Sequence, residues 1–336
     1  MPRLRAIPLL SLATSLFFVT SAFAQNTTNA RPGTINYVEG QATVDGQALT
    51  SKSVGNTELA AHETLSTTNG KVELLLTPGV FLRVGDNSAV TMVTPDLTNT
   101  EVQVDRGTAE VEVDQLYPQN KLTVDQGPAQ VALLKDGLYE FDVNSGQMRV
   151  FDGEAAVSPS ATAKKWITVK GHHDLAINGD REKPRDFNAK EVAQADPLYN
   201  WSQLRADYLG QANLNMAEEY AGADFAPGWM WDPWAYEYTW MPYDGLFWSP
   251  FGFGFYSPWY LYGGGYIYPG FGYGGGFYHG PYGVVHGPYR GGYPANGFRG
   301  GYGNHGEPGG FGGGGFHGGG GGGGGFHGGG GGGGRR

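Results

Sequence analysis

The chain contains no cysteine. That absence removes a disulfide framework, thiol nucleophiles, thiolate metal sites and iron-sulfur ligation together, so whatever folds must rely on a hydrophobic core. It also removes the cysteine that would carry a lipoprotein anchor. Basic residues are scarce, with 22 Lys and Arg against 32 Asp and Glu and a formal net charge of −10. Phosphate neutralisation needs clustered cations, and no basic patch compensates, which excludes nucleic acid as a partner. Past the first two dozen residues there is no long apolar run. The aromatic region is broken every few residues by Pro, Gly or Asp, which excludes a later spanning helix.

Catalytic signatures are missing as well. No Gly-x-Ser-x-Gly elbow, no Gly-Lys-Ser or Gly-Lys-Thr phosphate loop and no His-Glu-x-x-His stands in the sequence. His172, His173 and Asp174 are adjacent, but neighbours on a strand point to opposite faces, leaving His172 and Asp174 as two ligands at most. The expected placement is an exposed turn or strand edge. His62 stands alone. Phe316-His317 and Phe326-His327 recur at the far end, where imidazoles on bare backbone make a weak metal site at best. The expectation is therefore no enzyme, no cofactor and no dedicated metal site.

What is present begins with MPRLRAIPLLSLATSLFFVTSAFAQ. Arg3 and Arg5 precede an apolar run through Val19, and small Ala22 and Ala24 flank Phe23, the three parts of a secretory signal. Cleavage is expected between Ala24 and Gln25, giving an exported chain, periplasmic or at the cell surface, that is not transmembrane after cleavage. Losing Arg3 and Arg5 moves the formal charge from −10 to −12.

After a linker over 25–32, residues 33–180 alternate as a mostly β domain should. In TAEVEVD, Ala109, Val111 and Val113 share one face and Glu110, Glu112 and Asp114 the other. YEFDV repeats the device with Tyr139, Phe141 and Val143 against Glu140 and Asp142. The acidic faces read as solvated. Asp45-Gly46, Asn69-Gly70, Pro78-Gly79, Asp136-Gly137 and Asp152-Gly153 supply the turns, and the spacing suits a sandwich or rolled sheet.

A helical connector occupies 181–221. Asp196 caps it, Pro197 sits in its first turn, and Leu198, Trp201, Leu204 and Tyr208 form the expected apolar stripe. Gly210 either ends the helix or is a weak interior point. Residues 222–262 are rich in Trp, Tyr and Pro, and 263–336 form a glycine-rich tail expected to be disordered, because glycine loses the most backbone entropy on ordering and brings no side chain to bury.

The segments INYVEGQATVDGQAL, LAAHETLSTTNGKVELLLTPGVFLRVGDNSAVTM, TEVQVDRGTAEVEV, KLTVDQGPAQVALLKDGLYEFDV and QMRVFDGEAAV resemble, in that order, the strands of the FecR domain family, from about Gly33 to Val157. The resemblance implies a β-sandwich or rolled sheet that in the family's best-known members is the periplasmic half of a regulator. There a cytoplasmic segment controls a sigma factor and one span crosses the membrane. This chain departs from that pattern in its cleavable signal and lack of a span, so direct sigma-factor control is not expected. WMWDPWAYEYTWMPYDGLFWSP is similar to Trp and Tyr repeats that follow FecR domains in exported proteins of some soil bacteria, for which no activity is implied.

The aromatic segment carries the expected contact surface: Trp229, Trp231, Trp234, Tyr236, Tyr238, Trp240 and Trp248. Lacking an aliphatic layer, the rings must pack on each other, on the β domain or on a ligand. Four readings fit: self-stacked structural hairpins; a carbohydrate strip with Asp232, Glu237 and Asp244 taking hydroxyls; anchors in a protein partner's groove; and membrane-interface contact, which no flanking basic residue supports between Arg205 and Arg290. The functional expectation is an envelope binding or scaffold module with this strip as its contact surface. Its partner is an envelope protein or polysaccharide. Two alternatives stand beside it: a periplasmic sensor or regulatory module coupling envelope or transporter state to a separate membrane partner, and a peptidoglycan- or carbohydrate-binding protein.

Overall fold

A computed structural model describes residues 30–160, 163, 165–177 and 183–263, with the backbone of two short strands at 278–280 and 283–285. The signal segment, most of the linker and the glycine-rich tail lie outside the described residues.

The first strands are β1 (Thr34–Val44), β2 (Gln47–Ala48), β3 (Thr64–Leu75), β4 (Val80–Val84), β5 (Ala89–Asp96), β6 (Asn99–Arg106) and β7 (Thr108–Val113). There follow β8 (Lys121–Gln126), β9 (Ala129–Leu133), β10 (Gly137–Asp142), β11 (Gln147–Asp152), β12 (Glu154–Ser158), β13 (Ile167–Lys170), β14 (His173–Ala176) and β15 (Arg185–Asp186). All fifteen join one mixed sheet in the order β13-β12-β9-β8-β6-β5-β3-β4-β7-β10-β11-β14-β15, with β1 and β2 branching from β3. Only β6 with β8 is parallel among these pairs. The mostly β, rolled-sheet expectation holds.

Long β3 is the hinge of the roll, because its first three residues pair with β5 and its last four pair with β4. Val102, Val124, Val131 and Ala155 of one arm and Leu82, Val111, Tyr139 and Phe141 of the other meet in a single apolar core. Where β1 crosses β3, Gly40 lies at φ +70° and a Cβ on it would stand 2.2 Å from the Asn69 carbonyl oxygen, so only glycine lets the two backbones pass.

Two helices follow, α1 (Ala189–Ala195) and α2 (Pro197–Glu219). Asp196 caps α2 as expected, its Oδ1 accepting from the backbone N–H of Leu198 and Tyr199. Gly210 is interior. A Cβ there would meet Phe253 and the Gly254 carbonyl at 3.3–3.4 Å, so its bareness admits a close neighbour. The neighbour is one of two hairpins, β16 (Gly228–Asp232) with β17 (Glu237–Met241) and β18 (Leu246–Trp248) with β19 (Gly254–Tyr256), followed by the short α3 (Pro258–Tyr262).

These later elements lie on the sheet, and two expectations change as a result. Glu110, Glu112, Asp114 and Glu140 are not solvated; they are 0, 0, 2 and 1% exposed, because α2 and the hairpins cover the face they share. The buried stripe of α2 includes Leu198 and Trp201 but not Leu204 or Tyr208, which are exposed; Ser202, Arg205, Leu209, Asn213 and Met216 take its place, because the surface beneath is charged. Core packing also continues past Ala221. Tyr238, Trp240 and Phe255 bury themselves against Leu75, Phe81 and Leu209, with Trp240 5.5 Å from the Phe255 ring and Phe81 5.1 Å from Trp229. Rings serve here where aliphatics are missing.

Trp240→Ala should therefore cost about 3–5 kcal/mol in urea unfolding, by lost burial and a cavity that sheet and helix cannot close. The 90% exposed Trp234 replaced by alanine should change stability by less than about 0.5 kcal/mol.

Candidate functional site

The face under α2 carries a row of charge set by strand register. Glu73 of β3 stands opposite Arg83 of β4, Arg83 opposite Glu110 of β7, Glu110 opposite Glu140 of β10, and Glu140 opposite Arg149 of β11. Each belongs to the outward half of an alternating strand, which is why one row collects them. Signs alternate along it except at Glu110 and Glu140, where like charges face each other.

At one end the row ties the C-terminal layer down. Arg83 donates from Nε to Glu73 at 2.8 Å and from its Nη1 to Glu112, whose other oxygen accepts from the Ser249 hydroxyl. Arg205 of α2 donates to Glu73 at 2.9 Å and to Glu237 of β17 at 2.6 Å, its guanidinium 4.1 Å from the centre of the Tyr37 ring. One carboxylate thus joins sheet, helix and hairpin. Burial alone would raise the Glu73 carboxyl, but the charges of Arg205 and Arg83 overrule it and hold it at about 2.

Two asparagines finish the attachment. Asn36 donates to the Tyr238 carbonyl at 3.0 Å and accepts from its N–H at 2.7 Å. Asn213 treats Tyr256 the same way, at 3.1 and 2.6 Å, and also donates to the Trp240 carbonyl at 2.9 Å. Each side-chain amide stands in for a neighbouring strand, so buried hairpin backbone is not left unpaired.

At the other end, Glu110, Glu140 and Asp196 bring one carboxylate oxygen each within 4.8 Å of one another. Arg149 donates to Glu140. Burial, and then the facing Glu140, push the Glu110 carboxyl well up. Burial pushes Glu140 up to about 8 against the pull of Arg149. This trio was missed in the sequence, where only the period-two alternation marked Glu110 and Glu140 as neighbours in type.

The expected aromatic strip divides. Trp229, Trp231, Tyr238 and Trp240 turn into the layer, with Trp231 against Tyr238 at 5.0 Å. Trp234 and Tyr236 occupy the β16–β17 turn over 233–236, 90 and 73% exposed. Asp232 accepts from the N–H of Trp234 and Ala235, and Tyr236 takes φ +56°, unusual for a ring-bearing residue. Trp248 is partly exposed at the layer's edge. Two carboxylates expected to take sugar hydroxyls are otherwise engaged, Asp232 in this turn and Glu237 with Arg205. His172 sits in a turn at φ +64°, and His173 reaches Asp186 at 3.1 Å. Cleavage residues Ala22, Ala24 and Gln25 lie outside the described residues.

No protein-family model matches the chain, and no curated protein matches it. Among solved structures it is similar to two crystal structures of a candidate anti-sigma factor from Parabacteroides distasonis, at 13 and 12% identity and a TM-score of 0.33 for both. Each match covers 39% of this chain and 62% of the other, so the chain corresponds to less than two thirds of that protein's length. No described helix is long and apolar enough to cross a membrane.

The two ends of the row respond to pH in opposite senses. Glu140 ionises near 4.5 when unfolded and at about 8 when folded, so its contribution is full below 4.5 and is lost as pH rises toward 8. Glu73 contributes above 4.5 and loses that only as pH falls toward 2. Facing Glu140 are Glu110 from β7, Arg149 from β11 and Asp196 at the α2 cap. In buffer without divalent cations the melting temperature should fall between about pH 4.5 and 8, and Glu140→Gln should flatten that slope; an unchanged slope would contradict the assignment.

Proposed function

We propose that the chain is an exported, non-enzymatic regulatory module that reports an envelope condition to a separate membrane protein, using the β16–β17 turn as its contact. The observation that carries this reading is the rigid presentation of Trp234 and Tyr236. The turn is held by Asp232 with Tyr236 at positive φ, and the strand residues that follow it directly are buried and pinned, Glu237 by Arg205 and Tyr238 by Asn36. Large rings on a fixed backbone turn make interface anchors, since little backbone entropy remains to be lost on binding. The resemblance of residues 33–157 to the FecR domain supports the regulatory sense.

A protein partner is favoured over a sugar by the engagement of Asp232 and Glu237, which leaves the exposed rings with fewer neighbouring hydroxyl acceptors than a glycan strip needs. A sensor is favoured over an inert scaffold by the seam beneath the hairpin. Inert attachment is best served by apolar packing, whereas buried charge is costly and is retained where a specific or switchable arrangement is required.

A photo-crosslinking residue placed at 234 or 236 of the full chain, expressed in its own cells, should capture one membrane-associated protein. The same probe at exposed Leu97 should not. Trp234→Ala should weaken that complex by about 2 kcal/mol, roughly thirtyfold, with folding unchanged. Equal capture from both positions, or sedimentation with insoluble cell wall that Trp234→Ala abolishes, would replace this reading with the scaffold or glycan one.

A further inference from the structure

Two exposed rings stand on α3, at the end of the hairpin layer opposite the β16–β17 turn. Trp259 and Tyr262 are 48 and 68% exposed. Both are held in place by the protein. Trp259 leans on Phe225 with ring centres 6.5 Å apart, and Tyr262 lies so close to Gly222 that a Cβ there would stand 2.9 Å from its ring. Gly222 takes φ +80° in the turn that follows α2. The helix α3 is itself seated on the end of α2, where Tyr260 and Leu261 pack with Met216 and Ala217. Packing thus fixes the rings beside the C-terminal end of α2.

The charge around them has one sign. From residue 206 to residue 278 the sequence holds no Lys, Arg or His, while carboxylates recur through it. Asp232 and Glu237 are buried and engaged in the hairpin. Glu218, Glu219 and Asp224 are exposed where α2 ends, and no ion pair reaches them among the described residues. That end is the negative pole of the helix dipole, and the last turn has no basic residue to answer it. Glutamates at that pole add to its field, so the rings sit in negative potential open to solvent.

We infer that the exposed rings of α3 and the C-terminal end of α2 form a second docking surface, and that its occupant is a partner-protein segment bearing more than one arginine. Charge complementarity requires a cation and repels nucleic acid or an acidic segment. The ring faces select the guanidinium, which stacks on them while its fork engages carboxylates. Lysine brings the charge without the plane. Glu218, Glu219 and Asp224 outnumber a single cation, which calls for a segment and not one side chain. The surface is separate from the β16–β17 turn, because Met241, at the far end of β17, packs with Met216 while Glu237 at the turn pairs with Arg205. It therefore stands whatever that turn contacts.

A fluorescein-labelled peptide of arginines spaced by glycine and serine, titrated with the full chain by anisotropy, should bind several-fold more tightly than its lysine counterpart and weaken at high salt. Glu218→Gln with Glu219→Gln, and separately Trp259→Ala, should each weaken the arginine peptide by about tenfold or more with a native circular dichroism spectrum. Should Trp259→Ala not fold, the glutamate pair decides. The same loss of charge in Glu58→Gln with Asp96→Asn, both exposed on the sheet, should change affinity by less than about twofold. Absence of binding, binding retained in a folded variant, equal weakening by the control pair, or lysine bound as tightly as arginine overturns the inference. So does binding that appears only after Arg290, Arg299, Arg335 and Arg336 are replaced by glutamine, which would give the surface to the chain's own C-terminal residues.

Discussion

Everything on the covered face depends on Glu73, a carboxylate with no exposed surface, lying between two guanidiniums. Arg83 reaches it from the adjacent strand and Arg205 from α2, and Arg205 continues to Glu237 in β17. Without Arg205 the helix and hairpin would bring carboxylates onto a sheet face already rich in them. With it, the same carboxylates become the attachment points. Such an arrangement contributes less to stability than an apolar seam of equal size, since desolvation offsets most of the attraction. Its effect is on specificity, because α2 can dock in the one register that pairs Arg205 with both partners.

Packing then follows the charge. Tyr238, Trp240 and Phe255 close over Leu75 and Phe81 only because the hairpins have been brought down beside the ion pairs, and Asn36 and Asn213 satisfy the hairpin backbone that this burial takes from water. Ring against ring adds a modest amount beyond area, about 0.5–1.5 kcal/mol per well-placed pair. The layer is thus apolar toward Phe81 and polar toward Glu73. At the opposite end of the row Arg149 pairs with Glu140 while Glu110 faces Glu140 with no arginine hydrogen-bonded to it, so the two ends of one surface differ.

Much of the fold was legible. TAEVEVD and YEFDV assign each side chain to the correct side of the sheet, the turn dipeptides separate the strands, and Asp196-Pro197 marks the start of α2. The candidate site was not legible, for a definite reason. Alternation says that Glu110, Glu112 and Glu140 share a face with each other and not with Val111 or Phe141, yet it carries no information about what lies on that face. Polar residues default to a solvated reading unless a distant segment supplies partners. Here the partners are Arg205, Ser202 and Asp196, and the first two stand on the side of α2 that an apolar pattern would leave facing water.

The amino-acid order by itself determined the strands, the two faces of each and the cap of α2, because these depend on residues within a few positions of one another. It determined the concentration of rings between 229 and 260 as well. Only the tertiary structure decided that the acidic face is interior and that Trp240 is core while Trp234 is surface. It also decided which carboxylates have arginines and which have none. Those outcomes depend on contacts across more than a hundred residues of chain, between Glu73 and Arg205 above all, and Coulomb attraction and burial act on distance in space, which spacing along the chain does not encode.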